Sequence, residues 1–156
     1  MTPRLILASS SPRRRDLLAQ IGVVPDDIRS PDIDENPRKN ELPRPYAERM
    51  AAEKALAVSR AEGEVVLAGD TTVAVGRRIL PQAESEADVA RFLRLLSGRR
   101  HRVHSAISVI DAQGCQRVRC ASSQVRFKSL SDEEIAAYAA SGEGIGKAGG
   151  YAIQGR

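Results

Sequence analysis

The stretch LILASSSPRRRDLLAQIG, residues 5–22, constrains the fold more than any other part of the chain. Residues 5–7 form a short apolar run suited to a buried strand. Residues 12–21 read as a helix, with Ser11 as N-cap, Pro12 at the first helical position and Gly22 as the stop. Arg13, Arg14 and Arg15 then fall in the first turn, where the helix dipole and free N–H groups favour anions over cations. Two readings of these arginines are open. The side chains can swing into solvent, at a few tenths of a kcal/mol each. Alternatively, a phosphate group seated at the turn reverses the local field. Ser9, Ser10 and Ser11 supply hydroxyls and backbone N–H groups where a strand's carboxyl end meets a helix, a favoured phosphate position. Arg13 and Arg14 would then bind that phosphate through charge-assisted, bidentate hydrogen bonds.

The rest of the chain alternates strand and helix patterns. Residues 23–29 read as a second strand, followed by a polar, proline-bearing loop, SPDIDENPRKNELPRP. Residues 46–60 read as a helix in which Met50, Ala51, Leu56 and Ala57 make much of one apolar side. Residues 65–68 form a continuous apolar strand that meets a polar break at Gly69-Asp70-Thr71-Thr72. A helix over 86–96 ends at Ser97-Gly98. Residues 101–110 and 116–127 form a long hairpin turned by DAQG, and Ser131 with Glu134 makes a capping box for a helix running through Ala140. A glycine-rich stretch, SGEGIGKAGGYAIQGR, follows, with residues 151–154 patterned as one more strand. These elements imply an α/β fold with a mixed sheet.

The length of 156 residues and the 42% hydrophobic content imply a single domain with a real core rather than a disordered chain. No apolar run approaches a membrane span and no signal-peptide pattern opens the chain, so a cytoplasmic protein with no membrane partner is expected. Cys115 and Cys120, taken to share one strand, read as reduced structural thiols. The net charge of +4 suits nucleic acid, free nucleotides or an acidic surface equally. An aromatic content of only 3% supplies few stacking platforms, which weighs against a nucleic-acid binder.

The chemistry concentrates in a few places. Asp70 follows a buried strand, and Asp34 and Glu35 lie in the acidic run DIDE. A pair of such carboxylates can hold Mg²⁺ and orient a water towards phosphorus, although acidic residues in a polar loop are more often simply solvated. Lys54 and Lys147 can each act as a point charge on phosphate, against the commoner solvated state of a lone helical lysine. His101 and His104, three apart in a strand, make a poor metal pair and are assigned no chemistry. Residues 144–149 match G-x-G-x-x-G but follow a helix and precede a strand, the wrong order for a dinucleotide fold. They also lack the spacer and the hydroxyl residue of a P-loop. Those glycines serve tight turns or close backbone approach.

Five motifs in order, ASSSPRRRDLL, AAEKA, GDTTV, LSGRRHRV and GKAGGYAIQG, resemble the Maf family of nucleoside triphosphate pyrophosphatases. The resemblance spans residues 5–155. It implies a mixed, twisted sheet with flanking helices, of the inosine triphosphate pyrophosphatase-like type, with two lobes and a central cleft. It also implies a single Maf-like domain over 1–156 that is short of the family's C-terminal segment. The implied reaction converts a nucleoside triphosphate to the monophosphate and pyrophosphate with a divalent metal, Mg²⁺ or Mn²⁺. Carried onto this sequence, Asp70 is the base, Glu35 a metal-binding or catalytic carboxylate, and Lys54 a catalytic phosphate lysine, with Glu35 and Asp70 as metal ligands. Ser9, Arg13 and Arg14 form the phosphate loop, and Thr71, Gln82, Lys147 and Gln154 complete the substrate set. Arg13, Thr71 and Gln154 look like the dTTP/UTP branch, and a side-chain amide such as Gln154 suits a pyrimidine edge. Gln82 stands where the resemblance places a lysine. The expected partner is a nucleoside triphosphate, with homodimerisation a further expectation, and the alternative is a nucleotide-binding protein without turnover on the same scaffold.

Overall fold

The computed structural model describes residues 2–152. In chain order the elements are β1 (Leu5–Ala8), α1 (Pro12–Gln20), β2 (Asp27–Arg29), α2 (Pro43–Ala57), β3 (Val65–Val75), β4 (Arg78–Leu80), α3 (Glu86–Leu96), β5 (Arg100–Ile110), β6 (Gln116–Arg126) and α4 (Asp132–Ser141). The sheet order is β2-β1-β3-β5-β6, with β4 paired to β3. β1 runs parallel to both β2 and β3, whereas β4 is antiparallel to β3, so the sheet is mixed, as the alternating sequence patterns require.

The residues divide into two compact units. The first holds the chain up to Glu41 together with Pro45–Asp70 and Ser105–Ala121; the second holds Leu42–Arg44, Thr71–His104 and the chain from Ser122 on.

In the first unit, α1 ends in a Schellman turn. The Gly22 amide donates to Ala19 O, the Val23 amide donates to Leu18 O, and Gly22 takes φ +76°. The start of α1 differs from expectation: Ser11 makes no side-chain cap, and the Ser9 hydroxyl oxygen instead accepts the Ser11 amide at 3.0 Å. β2 is shorter than its apolar run because Val23 is consumed by the helix terminus and Pro25 has no amide to donate to a ladder. On α2, Tyr46, Ala47, Met50, Ala51, Lys54 and Ala55 are buried in a stripe of helical period, which Val58 extends just past the helix end. The expected apolar side was mis-phased, since Leu56 is 64% exposed and Ala57 is also exposed. Ala55 and Val58 pack with Ile6, Ala8, Val66, Ala68 and Ile110, while Ala47 and Ala51 pack with Ala106. Glu64 is buried too. Arg29 donates to both of its oxygens at 2.9 and 3.1 Å, and the Ala61 amide adds a third hydrogen bond at 2.7 Å.

In the second unit, Val89, Phe92, Leu93 and Leu96 of α3 pack with Val73, Leu80, Ala83, Ile135 and Ala139. Ser85 caps α3 by accepting the Asp88 amide, and the capping box of Ser131 and Glu134 starts α4. The glycine-rich stretch folds against residues 81–83. The Gly146 amide donates to Ala83 O at 2.7 Å, and the Ala83 amide donates to Lys147 O at 3.1 Å. A Cβ at Gly144 would lie 2.2 Å from Gly150 O, and one at Gly149 would lie 2.7 Å from a Val73 methyl. These glycines therefore serve close backbone approach. His101 and His104 are both buried. His101 packs edge-on against Phe127 and Tyr151, and His104 Nδ1 lies 2.7 Å from Ser122 Oγ.

Three further corrections concern strands. The polar break expected at residues 69–72 does not occur, because β3 continues through it to Val75, where β4 pairs with it. Cys115 lies exposed in the turn before β6 rather than sharing a strand with Cys120, and the two are not joined in a disulfide. The strand expected over 151–154 is not formed at Tyr151 and Ala152, and residues 153 and 154 lie outside the described residues. No helix among the described residues is long and apolar enough to cross a membrane.

Candidate active site

The pairing of β1 with β3 sets Ala8 opposite Ala68. The chain therefore leaves β1 at Ser9, beside the point where β3 passes through Gly69 and Asp70. Carboxyl ends of adjacent parallel strands are the usual place for a ligand in such sheets. Asp70 is an acidic residue in mid-strand, and its carboxylate is only 8% exposed. α2 supplies its partner. Lys54 occupies a position in the buried stripe where an apolar residue would ordinarily sit, and its Nζ donates to Asp70 Oδ1 at 3.1 Å. The same ammonium lies 3.1 Å from Glu35 Oε1, and the Glu35 carboxylate is half exposed. One cation thus holds two carboxylates that are 35 positions apart in the sequence.

Arg14 completes the group. A Cβ at position 69 would lie 3.3 Å from Arg14 Nε, so this side chain crosses directly over the Gly69 backbone. Burial pushes the guanidinium below its ordinary value, and the charges of Asp70 and Glu35 oppose that shift. These carboxylates therefore answer part of the cost of a cation in the first turn of α1. Ser9 is buried, and because its oxygen accepts the Ser11 amide, its hydroxyl proton is free to be donated elsewhere.

The first unit therefore brings together Ser9, Arg14, Glu35, Lys54 and Asp70. Arg13 is half-buried on α1. In the second unit the structure brings Gln82 and Lys147 onto facing segments through the bridge between Gln82 and Ala148, and Thr71 follows Asp70 on β3, exposed. Gln154 lies outside the described residues.

Sequence reasoning missed Tyr46. Its hydroxyl donates to the backbone carbonyl of Glu35, and it shares a helical row with Met50 and Lys54 at four-residue spacing. That row was a usable signal, since two polar-tipped residues flank a methionine on it. Burial, together with the Asp70 and Glu35 charges, raises Tyr46 to about 12, so its hydroxyl remains a donor at neutral pH.

No group of three or more His, Cys, Asp and Glu residues able to hold a metal ion occurs among the described residues. Glu35 and Asp70 nevertheless fit a Mg²⁺-type ion bound with a phosphate ligand. Such ions are commonly held by one or two carboxylates, with phosphate and water oxygens completing the shell.

The Maf-like protein family profile matches residues 4–156. The chain belongs to the Maf-like family. A dTTP/UTP pyrophosphatase of Sphingopyxis alaskensis is 63% identical over 154 residues, covering 99% of this chain and 81% of its own length. The Cereibacter sphaeroides protein of the same name is 59% identical, covering 97% and 78%. Among solved structures, the Ham1 protein of Staphylococcus aureus matches with a TM-score of 0.52 at 16% identity, covering 79% of this chain and 71% of that one. That likeness concerns the fold, which is the mixed-sheet α/β architecture of this Maf-like chain.

Proposed function

We propose that this Maf-like chain hydrolyses nucleoside triphosphates, dTTP and UTP in particular, to the monophosphate and pyrophosphate. The observation that carries the reading is the buried Lys54 ammonium shared by Asp70 and Glu35, beside Arg14, where β1 ends alongside the middle of β3. The pyrimidine preference is supported by the names of relatives up to 63% identical.

In this mechanism the triphosphate lies against the start of α1, with Ser9 donating its hydroxyl and Arg13 and Arg14 their guanidinium protons to phosphate oxygens. Asp70 accepts a proton from the attacking water. The water oxygen bonds to the α-phosphorus, the bond from that phosphorus to the bridging oxygen breaks, and the electron pair leaves with pyrophosphate. Lys54 serves two roles. It holds both carboxylates in place before substrate arrives, and it offers its charge to the phosphates as negative charge moves to the leaving group. Glu35 and Asp70 would hold Mg²⁺ or Mn²⁺, which neutralises phosphate charge when bound. Thr71, Gln82, Lys147 and Gln154 are the proposed contacts to the rest of the nucleotide, and Gln154 has the donors and acceptors a pyrimidine edge requires.

The test is incubation with Mg²⁺ or Mn²⁺ and a panel of nucleoside triphosphates, measuring monophosphate and pyrophosphate. Release of pyrophosphate from dTTP and UTP, abolished in Asp70→Asn while nucleotide still binds, is the expected result. Nucleotide binding without turnover by the parent chain overturns the reading, and turnover by Asp70→Asn removes the assigned base.

A further inference from the structure

Glu35 sits on residues 30–42, which form neither helix nor strand, and its carboxylate is half exposed. A carboxylate so placed can serve a site only if something other than the sheet holds its backbone, because productive geometry tolerates errors of about half an ångström. α2 does this at two consecutive peptide units. The Tyr46 hydroxyl donates to Glu35 O, and one turn further on Arg49 Nη2 donates to Asn36 O at 3.2 Å.

Arg49 is itself locked. Its Nε and Nη2 each lie 2.7 Å from a Glu41 oxygen, a bidentate pair at the far end of the same segment, and its Nη1 lies 2.8 Å from Glu53. The Glu41 carboxylate also accepts the Arg38 amide at 2.9 Å, while Asp34 accepts the Asn36 amide at 3.0 Å. The segment is therefore tied to α2 at Glu35 itself, at Asn36 and again at Glu41, and α2 also supplies Lys54. A rigid helix thus sets where the Glu35 carboxylate lies relative to the lysine that receives it.

We infer that Tyr46 and Arg49 are positioning residues for Glu35, a clamp that turns an irregular loop into a fixed wall of the site. The inference rests on the proposed reaction for its kinetic consequence, but the clamp has a consequence of its own. Without either hydrogen bond, residues 34–38 open more readily, and their amides exchange faster with solvent.

The experiment compares the full chain, Tyr46→Phe, Glu35→Gln and the double variant, with Arg49→Lys as a second probe of the clamp. Two quantities are read: pyrophosphate release from dTTP, and amide exchange across residues 34–38 against the strands of the sheet. Tyr46→Phe is expected to lower kcat/KM by about 10–100-fold, the size found when groups supporting a ligand carboxylate are removed. In the Glu35→Gln background the same change is expected to have an effect below about threefold, because its target is already gone. Exchange at 34–38 should rise in Tyr46→Phe and Arg49→Lys while β1 and β3 keep their protection. Equal losses in both backgrounds, or a rise in exchange spread over the whole chain, overturn the inference in favour of a general structural role. If the parent chain itself releases no pyrophosphate, the proposed function fails. The exchange pattern then decides the clamp alone: faster exchange confined to 34–38 upholds it and unchanged exchange removes it.

Discussion

Replacing Lys54 by methionine removes the cation shared by Glu35 and Asp70 while keeping most of the stem that fills the buried stripe of α2. The two ion pairs contribute unequally. The pair with Glu35 is half exposed, and such pairs are worth at most about 1 kcal/mol. The pair with Asp70 is almost wholly enclosed, its partners being 10% and 8% exposed. Removing one partner of such a pair costs ~3–5 kcal/mol, because the remaining charge stays buried. Arg14 still lies near Asp70 and answers part of that charge, which puts the expectation at the lower end, about 3 kcal/mol. For a chain of this length that is a fall in Tm of about 6–12 °C. Loss of the charge at the reacting phosphates is expected to lower kcat by about 10²–10³-fold. Thermal unfolding followed by circular dichroism, with pyrophosphate release at saturating dTTP, reads both quantities. A second variant, Lys54→Met with Asp70→Asn, should recover most of the lost Tm and none of the activity, because the stranded charge is gone but the site is not restored. A Tm within about 1 °C of the parent for Lys54→Met, or no recovery in the double variant, would refute the claim that Lys54 compensates Asp70.

Three further outcomes follow from the structure. Leu96→Ala on the buried side of α3 should cost about 2–5 kcal/mol in chemical denaturation, whereas Leu56→Ala on the exposed side of α2 should stay within about 0.5 kcal/mol. Gly144→Ala places a Cβ 2.2 Å from Gly150 O, so the turn must rearrange, with an expected loss of about 3 kcal/mol read by the same denaturation. Hydrogen bonds from Arg49 hold the Glu41 carboxyl down at about 2 against an ordinary 4.5. Its contribution to stability is thus complete above pH 4.5 and is lost as pH falls towards 2; Tm measured over that window should fall more steeply for the parent than for Glu41→Gln.

Local patterns were enough wherever a segment's own chemistry decides its state. The limits of α3 follow from a four-residue apolar stripe between Ser85 and Ser97-Gly98, and α4 starts at its capping box. The β5–β6 turn is legible because Asp111 Oδ1 collects the amides of Gln113 and Cys115. Ser9, Arg14, Lys54 and Asp70, which the structure gathers around Glu35, were singled out from contiguous motifs, and Glu35 from the acidic run DIDE. Where the patterns failed, a partner from elsewhere in the chain made the decision. Glycine and aspartate at 69 and 70 read as a break, yet β3 runs on because β1 pairs its first half and β4 its last residues. The phase of α2 misled because Leu56 is apolar but exposed, and Lys54 is charged but buried.

By itself, then, the sequence determined the α/β class, the four helices and most of the strands in their order, and the residues proposed to carry the chemistry. All of these depend on the spacing of apolar residues, on caps and turns, and on motifs that are contiguous in the chain. Only the tertiary structure decided that Lys54 faces inward, that Glu35 and Asp70 share its ammonium, and that Tyr46 and Arg49 hold the loop bearing Glu35. The physical reason is that a buried charge is tolerated only beside its counter-charge, and those partners come from three different elements of the chain.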